Sequence, residues 1–130
     1  MRNFRELKVW NEAMTIVKET YEIASMLPDQ EKFGIKSQIS RAAVSIPSNI
    51  AEGSAKSSNK EVKRYFEISM GSAFELETQL ILMKDLRLVE NGGAIDILLL
   101  KLEQFQKMLN KFISSLKSPI IKSNTQPPNT

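Results

Sequence analysis

Apolar residues recur every three or four positions along four separate segments of this chain, which is the spacing of amphipathic helices. The predicted helices cover about residues 7–26, 30–52, 58–88 and 94–117. Along the fourth, steps of three and four alternate through Ile95, Leu98, Leu102, Phe105, Leu109, Phe112 and Leu116. This heptad pattern predicts a helix that packs against its neighbours at a crossing angle of about 20°.

Local signals refine the second and third helices. Ser58 and Glu61 have the spacing of a capping box, which predicts the start of the third helix. Gly53 is expected to cap the C-terminus of the second helix. Pro47 lies inside that helix and predicts a kink, because proline lacks an N–H and crowds the preceding turn. The alternative, two helices meeting at Pro47, is less favoured because the apolar stripe continues to Ile50.

The short connections predict an all-α fold, an antiparallel up-down-up-down four-helix bundle with a kinked second helix. The bundle is expected to span residues 1–117 as one domain. Residues 118–130, SPIIKSNTQPPNT, show no periodicity, and we expect them to form a disordered C-terminal tail. Within the third helix, the run Gly71-Ser72-Ala73 predicts a close approach of a neighbouring helix.

A polar stripe lies beside the apolar stripe of the second helix. At ~100° per residue its members share an arc of about 100°. They are Gln38, Arg41, Ser45, Ser48, Asn49 and Glu52. A surface helix needs only scattered charges, so this row of short polar side chains is expected to meet specific partners.

Antiparallel pairing with the third helix brings Arg41 near Ser72 and within about one turn of Glu75. We therefore expect Arg41 to be largely buried and within hydrogen-bonding reach of Glu75 or Ser72 on the third helix. Gln38 and Gln79 would flank this contact. A buried ion pair fixes helix register more dependably than it adds stability. The polar stripe is interpreted as a structural contact, with a ligand or subunit site and a catalytic site as alternatives.

The composition excludes several classes of activity. The 130 residues include neither cysteine nor histidine, which removes thiolate ligands, disulfides and the commonest general base and metal ligand. No nucleophile–base set or phosphate-binding loop is recognisable. We therefore predict no enzymatic activity, catalytic residue, metal or cofactor. The sequence has no membrane span or signal peptide, so we expect a cytoplasmic protein without membrane contact.

Charge is distributed unevenly along the chain. Residues 1–31 have a net charge of −2, residues 32–64 of +5, residues 65–96 of −4 and residues 97–130 of +4. One explanation is complementary packing between alternating elements. The other is a basic surface that binds nucleic acid.

Two groups of basic residues are candidates for such a surface. The first group surrounds the start of the third helix, where free backbone amides add positive charge: Lys56, Lys60, Lys63 and Arg64. The second group follows the fourth helix: Lys101, Lys107, Lys111 and Lys117. Contacts from the first group would be to phosphates, so we expect binding that is largely independent of sequence and weakened by salt.

The predicted core stripe of the first helix consists of Trp10, Ala13, Val17, Ala24 and Leu27. That of the third consists of Val62, Tyr65 or Phe66, Ser69, Ala73, Leu76, Leu80 and Met83. Further apolar residues lie away from these two stripes. They are Val9, Ile16 and Ile23 on the first helix, and Ile68 and Leu82 on the third. One stripe per helix is enough for a single bundle, so these positions predict a second buried surface. We expect a homo-oligomer whose subunits pack through these two helices.

Three stretches resemble the four-helix-bundle proteins encoded in intervening sequences of bacterial large-subunit ribosomal RNA genes. They are FRELKVWNEA, SQISRAAVSIPSNIAEGSAKSSNKE and YFEISMGSAFELETQLILMKDL. The similarity covers about residues 4–88, while the fourth helix is similar in pattern only. The matching motif positions are Arg41, Ser45, Asn49, Glu52, Gly53, Ser72, Glu75 and Gln79.

This resemblance implies a bundle that assembles as a ring-like homopentamer. A more distant similarity, to the accessory variability proteins of diversity-generating retroelements, implies binding to nucleic acid and to a protein partner. We therefore predict a non-enzymatic oligomer that binds RNA or DNA through basic patches repeated around a ring. The alternative is a self-assembling scaffold or protein adaptor that does not bind nucleic acid.

Overall fold

Four α-helices follow one another in the computed structural model, which describes residues 2–31, 34–90 and 92–116. They are α1 (Lys8–Ala24), α2 (Ile35–Ser54), α3 (Asn59–Asp85) and α4 (Gly93–Ser114). Two single 3₁₀ turns, Phe4–Glu6 and Asp29–Glu31, precede α1 and α2. The all-α prediction is confirmed, whereas Lys117 and the predicted tail lie outside the described residues. None of the described helices is long and apolar enough to cross a membrane.

Each helix packs against two others: α1 and α3 both contact α2 and α4. Contacts between α2 and α3 join Gly53 to Tyr65, Ile46 to Ser69, and Ser45 to Ser72. In these three contacts the residue number in α3 increases as the residue number in α2 decreases, so the two helices run in opposite directions. The pairs Phe66–Phe112 and Lys84–Asp96 show the same relation between α3 and α4.

The core contains apolar side chains from all four helices, and their burial follows the predicted periodicity in α2, α3 and α4. It includes Ile39, Ile46, Phe66, Leu76, Leu80, Leu98, Leu102 and Phe105, each at most 1% exposed. For the first helix the predicted stripe is confirmed at Ala13, Ala24 and Leu27 but is wrong at Trp10 and Val17. Val9, Ile16 and Ile23 are buried in this core, whereas Trp10 and Val17 are only partly buried. The first three therefore stabilise the bundle itself and do not form a second surface.

The second helix differs from its prediction at both ends. It begins at Ile35, because Asp29–Glu31 forms a separate 3₁₀ turn. It continues through Pro47 to Ser54, so the alternative of two helices meeting at Pro47 is wrong. The kink itself stays a prediction. Gly53 is not a cap but lies inside the last turn, with Ala55 at the C-cap position.

The close approach of α2 and α3 occurs at Gly53 and not at Gly71. A Cβ atom on Gly53 would lie 2.7 Å from the Cβ of Tyr65 and 3.1 Å from a ring carbon of Phe66. A Cβ atom on Gly71 would meet nothing within 4 Å. Only a residue without a side chain fits at Gly53. In the run Gly71-Ser72-Ala73 the predicted contact with α2 is made by Ser72, which hydrogen-bonds to Ser45, whereas Gly71 faces open space and has no part in it.

Candidate functional site

Hydroxyl groups join the polar stripe of α2 to α3, and the amide of Asn49 forms its hydrogen bonds within α2. The hydroxyl oxygens of Ser45 and Ser72 share a hydrogen bond of 2.8 Å. Asn49 donates from Nδ2 to the backbone oxygen of Ser45 at 2.8 Å. Buried Ser69 donates from Oγ to the backbone oxygen of Ile46, also at 2.8 Å. This part of the stripe has the structural role that was one of the predicted alternatives.

Arg41 of the polar stripe and Glu75 of α3 lie further from the core than these hydroxyl groups. Arg41 and Glu75 are both exposed and line a cleft of about 390 Å³ between α2 and α3, together with Gln38, Ala42 and Ser45. The prediction that Arg41 is largely buried is wrong, because Ser45 and Ser72 occupy the position next to the core. Arg41 forms no ion pair with any residue in the part of the chain that the structure describes. Its predicted contact with Glu75 or Ser72 is therefore wrong as well, and the Ser72 hydroxyl bonds to Ser45 instead.

Two further predicted site residues, Gln79 on α3 and Glu52 on α2, differ in how deeply they are buried. Gln79 is 6% exposed, and its Oε1 atom is buried without a hydrogen-bond partner. Glu52 is exposed near the C-terminus of α2. The stripe therefore combines satisfied hydroxyl groups, exposed charges and one unsatisfied amide oxygen, and catalysis has no support in this geometry. Within the described ranges, no group of three or more acidic residues is placed to hold a metal ion.

The predicted basic cluster surrounds the start of α3. Ser58 accepts a hydrogen bond of 3.2 Å from the backbone N–H of Glu61, which confirms the predicted N-cap. Lys60, Lys63 and Arg64 are exposed on the first turns, and Lys56 is half-buried in the connection that precedes them. We call these four cations, Lys56, Lys60, Lys63 and Arg64, the α3 basic cluster.

Aromatic rings lie beneath four cations at this end of the bundle. Lys56 Nζ lies 4.9 Å from the ring centroid of Tyr65, and Arg64 Cζ lies 5.7 Å from the same centroid. Arg5 Cζ lies 4.8 Å from the centroid of Phe4. Similarly, Arg2 Cζ lies 5.7 Å from the centroid of Phe112. These are cation–π distances, and they bring arginines from the N-terminal segment to the same end as the α3 basic cluster.

Sequence reasoning missed Arg2 and Arg5. Their position depends on a contact distant in sequence, in which the backbone N–H of Arg2 donates to the carbonyl oxygen of Ser54 at 3.0 Å. No local periodicity indicates that the N-terminal segment ends beside the C-terminus of α2. The missed residues therefore had no signal in the pattern from which the α3 basic cluster was predicted.

The fold separates charge by end of the bundle. When the bundle is divided near its middle, the half with residues 2–13, 45–72 and 106–116 has nine basic and five acidic side chains. The other half of the described chain, residues 14–31, 34–44, 73–90 and 92–105, has six basic and ten acidic side chains. We call them the basic half and the acidic half. Positive charge is therefore in excess at one end of the bundle and negative charge at the other.

Ion pairs are also distributed unevenly. In the acidic half, Lys84 pairs with Asp96 at 2.6 Å and Lys101 pairs with Glu19. The hydrogen bond and the charge of Asp96 raise the pKa of Lys84 above its ordinary value. A third pair crosses the boundary between the halves and joins Lys107 to Glu103 at 3.7 Å along α4. Among the described residues, neither the α3 basic cluster nor the two N-terminal arginines has a carboxylate within 4.0 Å.

Several apolar side chains remain on the surface. Ile68 and Leu82 on α3 are 41% and 46% exposed, as predicted for a second surface. Between α1 and α2 lies an apolar groove of about 370 Å³, whose lining includes Trp10, Val17 and Pro47. The bundle therefore has apolar surface on α3 and also on the side formed by α1 and α2.

Comparisons with known proteins agree with the predicted resemblance. The family model described as "23S rRNA-intervening sequence protein" matches residues 5–111. A solved structure from Bacteroides thetaiotaomicron, described as a protein with unknown function from the S23 ribosomal protein family, has a similar fold. It is 21% identical, the match covers 81% of this chain and 97% of that one, and the TM-score is 0.74. No curated protein matches this chain.

Proposed function

Because this chain belongs to the 23S rRNA-intervening sequence protein family, we propose that it is a non-enzymatic, oligomeric protein that binds the phosphates of RNA or DNA. The proposed surface is the α3 basic cluster at the basic end of the bundle. The family name refers to a location in ribosomal RNA genes, which agrees with a nucleic-acid partner without identifying one. We propose that it acts in the cytoplasm, since a chain without cysteines fits a reducing compartment.

The observation that carries this proposal is the excess of cations over carboxylates at the basic end, where the α3 basic cluster also has no ion pair among the described residues. A cation already paired with a carboxylate gains little from a phosphate, because its charge is largely compensated. Among the described residues, Lys56, Lys60, Lys63 and Arg64 have no such partner. Glu52, Glu61 and Glu67 reduce the local potential but belong to a half with nine basic and five acidic side chains. The net field at this end therefore attracts a polyanion.

Replacing all four cations of the α3 basic cluster with serine is expected to weaken nucleic-acid binding and to flatten its salt dependence. Each lost phosphate contact lowers the slope of log affinity against log salt by about 0.9 for a duplex. Fluorescence anisotropy across a salt series measures both quantities. A matched control replaces three lysines and one arginine of the acidic half with serine: Lys18, Lys36, Lys84 and Arg87.

The control variant has the same net charge as the test variant but keeps the α3 basic cluster. It is expected to bind nearly as tightly as the unmodified protein. Unchanged binding by the cluster variant would transfer the site to α4, whose cations include Lys107 and Lys111. If the unmodified protein binds neither RNA nor DNA at low salt, the scaffold or protein-adaptor function is favoured.

We also propose that the protein assembles with copies of itself, as the family resemblance implies for a homopentamer. A ring with cyclic symmetry joins two different surfaces of each subunit. The exposed apolar residues Ile68 and Leu82 on α3, and the apolar groove between α1 and α2, supply two such surfaces. This assembly also supports the scaffold function, because it uses no cation of the basic half.

Light scattering at micromolar concentration is expected to report an oligomer. The double variant Ile68→Glu and Leu82→Glu should shift it towards the monomer, because two charges would be placed in an apolar contact. Ile97→Glu is the control, since Ile97 is 58% exposed on α4, outside both proposed surfaces. A monomeric unmodified protein, or an unchanged oligomer in the double variant, would contradict this assembly.

A further inference from the structure

The cations above aromatic rings indicate which form of nucleic acid the basic end recognises. Lys56 and Arg64 share the ring of Tyr65, Arg5 lies above Phe4, and Arg2 lies above Phe112. A ring beneath a cation orients it without cancelling its charge, whereas a carboxylate would do both. These side chains are therefore held in place and are still able to attract phosphates.

The rings that orient these cations have little face left for bases. Besides its cation, Phe4 packs edge-on against Trp10 at 5.2 Å, and Phe112 packs against buried Phe66 at 5.1 Å between centroids. Tyr65 is half-buried, lies next to Gly53 and has two cations near its ring. Proteins that bind single strands combine a basic groove with free aromatic faces on which bases stack. Among the residues that the structure describes, the basic end has the charge but lacks such free faces.

From this arrangement, and resting on the proposed function, we infer that the basic end recognises the phosphate backbone of a double strand in preference to a single strand. A surface that contacts only phosphates binds best where phosphates are densest. A duplex has one charge per about 1.7 Å of its axis, against one per about 3.4 Å for each strand alone. A duplex also keeps its bases stacked internally, so it does not need the aromatic faces that this surface lacks.

The spread of the cations fits a duplex as well. They come from the N-terminal segment, the connection between α2 and α3, and the first turns of α3, which the contact of Arg2 with Ser54 brings together. Two neighbouring helices present an end about 20 Å wide. That width is enough to reach the two phosphate rows that border a groove about 12 Å wide. The contacts involve no base edge, so binding is independent of sequence.

The first experiment compares a 24-base-pair duplex with its two separate strands, for RNA and for DNA, using the full-length protein at low salt. We expect the duplex of at least one of the two to bind at least tenfold more tightly than its strands. Comparing the affinities of the RNA duplex and the DNA duplex also shows which of the two nucleic acids the protein prefers. Equal or tighter binding of the single strands would overturn the duplex preference while leaving the proposed function intact. Absence of binding in every arm would overturn both.

The second experiment tests the oriented cations. Tyr65→Leu keeps every charge but removes the ring beneath Lys56 and Arg64, and we expect duplex affinity to fall about three- to tenfold. Tyr21→Leu is the matched control, because Tyr21 is 51% exposed in the acidic half. If circular dichroism shows that Tyr65→Leu is unfolded, Phe4→Leu provides the test, because it removes the ring beneath Arg5 and also keeps every charge; it should show a similar loss. An unchanged duplex affinity in the folded variants would contradict the role of the cation–π contacts.

Discussion

Phe66→Ala is expected to lower the free energy of unfolding by about 3–5 kcal/mol, the usual cost of removing a buried aromatic side chain. Phe66 has no exposed surface, and its ring centroid lies 5.1 Å from that of Phe112. It also lies against Gly53, so its ring contacts both neighbours of α3. Removing it leaves a cavity where three helices meet. Urea denaturation followed by circular dichroism measures the change.

The control for Phe66→Ala is Phe74→Ala on the same helix. Phe74 is 54% exposed, so its replacement is expected to change stability by less than about 0.5 kcal/mol if this face is free in solution. A larger loss that depends on protein concentration would mean that another copy covers Phe74. A loss below about 1 kcal/mol for Phe66→Ala would contradict the position of Phe66 in the core.

Gly53→Ala is expected to destabilise the protein although alanine is the better helix former. A methyl group at this position would lie 2.7 Å from the Cβ of Tyr65, an atom fixed to the α3 backbone, so the helices would have to separate. Overpacking of this kind costs about 1–3 kcal/mol. The gain in helix propensity offsets at most about 1 kcal/mol. We therefore expect a net loss of about 1–2 kcal/mol in urea denaturation.

Gly71→Ala provides the opposite result. A Cβ atom there meets nothing within 4 Å, so only the gain in helix propensity remains. We expect stabilisation of about 0.5–1 kcal/mol. If both glycine variants are stabilised, the close approach at Gly53 is wrong. If Gly71→Ala is destabilised, a surface outside this subunit packs against Gly71.

The helices could be predicted from sequence because each follows from local information. The heptad steps from Ile95 to Leu116 and the N-cap at Ser58 involve residues a few positions apart, and the structure confirms both. In α1, apolar residues occupy more than one side of the helix, so periodicity alone did not determine the buried side. Val9 and Ile16 are in the core, whereas the sequence favoured Trp10 and Val17.

The sequence identified the residues of the polar stripe correctly but not how deeply each one is buried. Arg41 and Ser45 are neighbours on one side of α2, and a small rotation of the helix decides which of them faces α3. The rotation is fixed by the hydrogen bond between Ser45 and Ser72 and by the contact of Gly53 with Tyr65. Both link residues that are distant in sequence, so the position of Arg41 could not be derived from the second helix alone.

Separation of charge between the basic and acidic halves makes the molecule an electric dipole along its long axis. Cyclic symmetry keeps every subunit pointing the same way relative to the ring axis. If the proposed ring forms with the bundle axes along the ring axis, the dipoles therefore add, and the assembly has one positive and one negative face. Two such rings attract head to tail and repel head to head. Below about 0.1 M salt, where the Debye length exceeds about 10 Å, rings without nucleic acid are expected to stack into columns that a polyanion disperses.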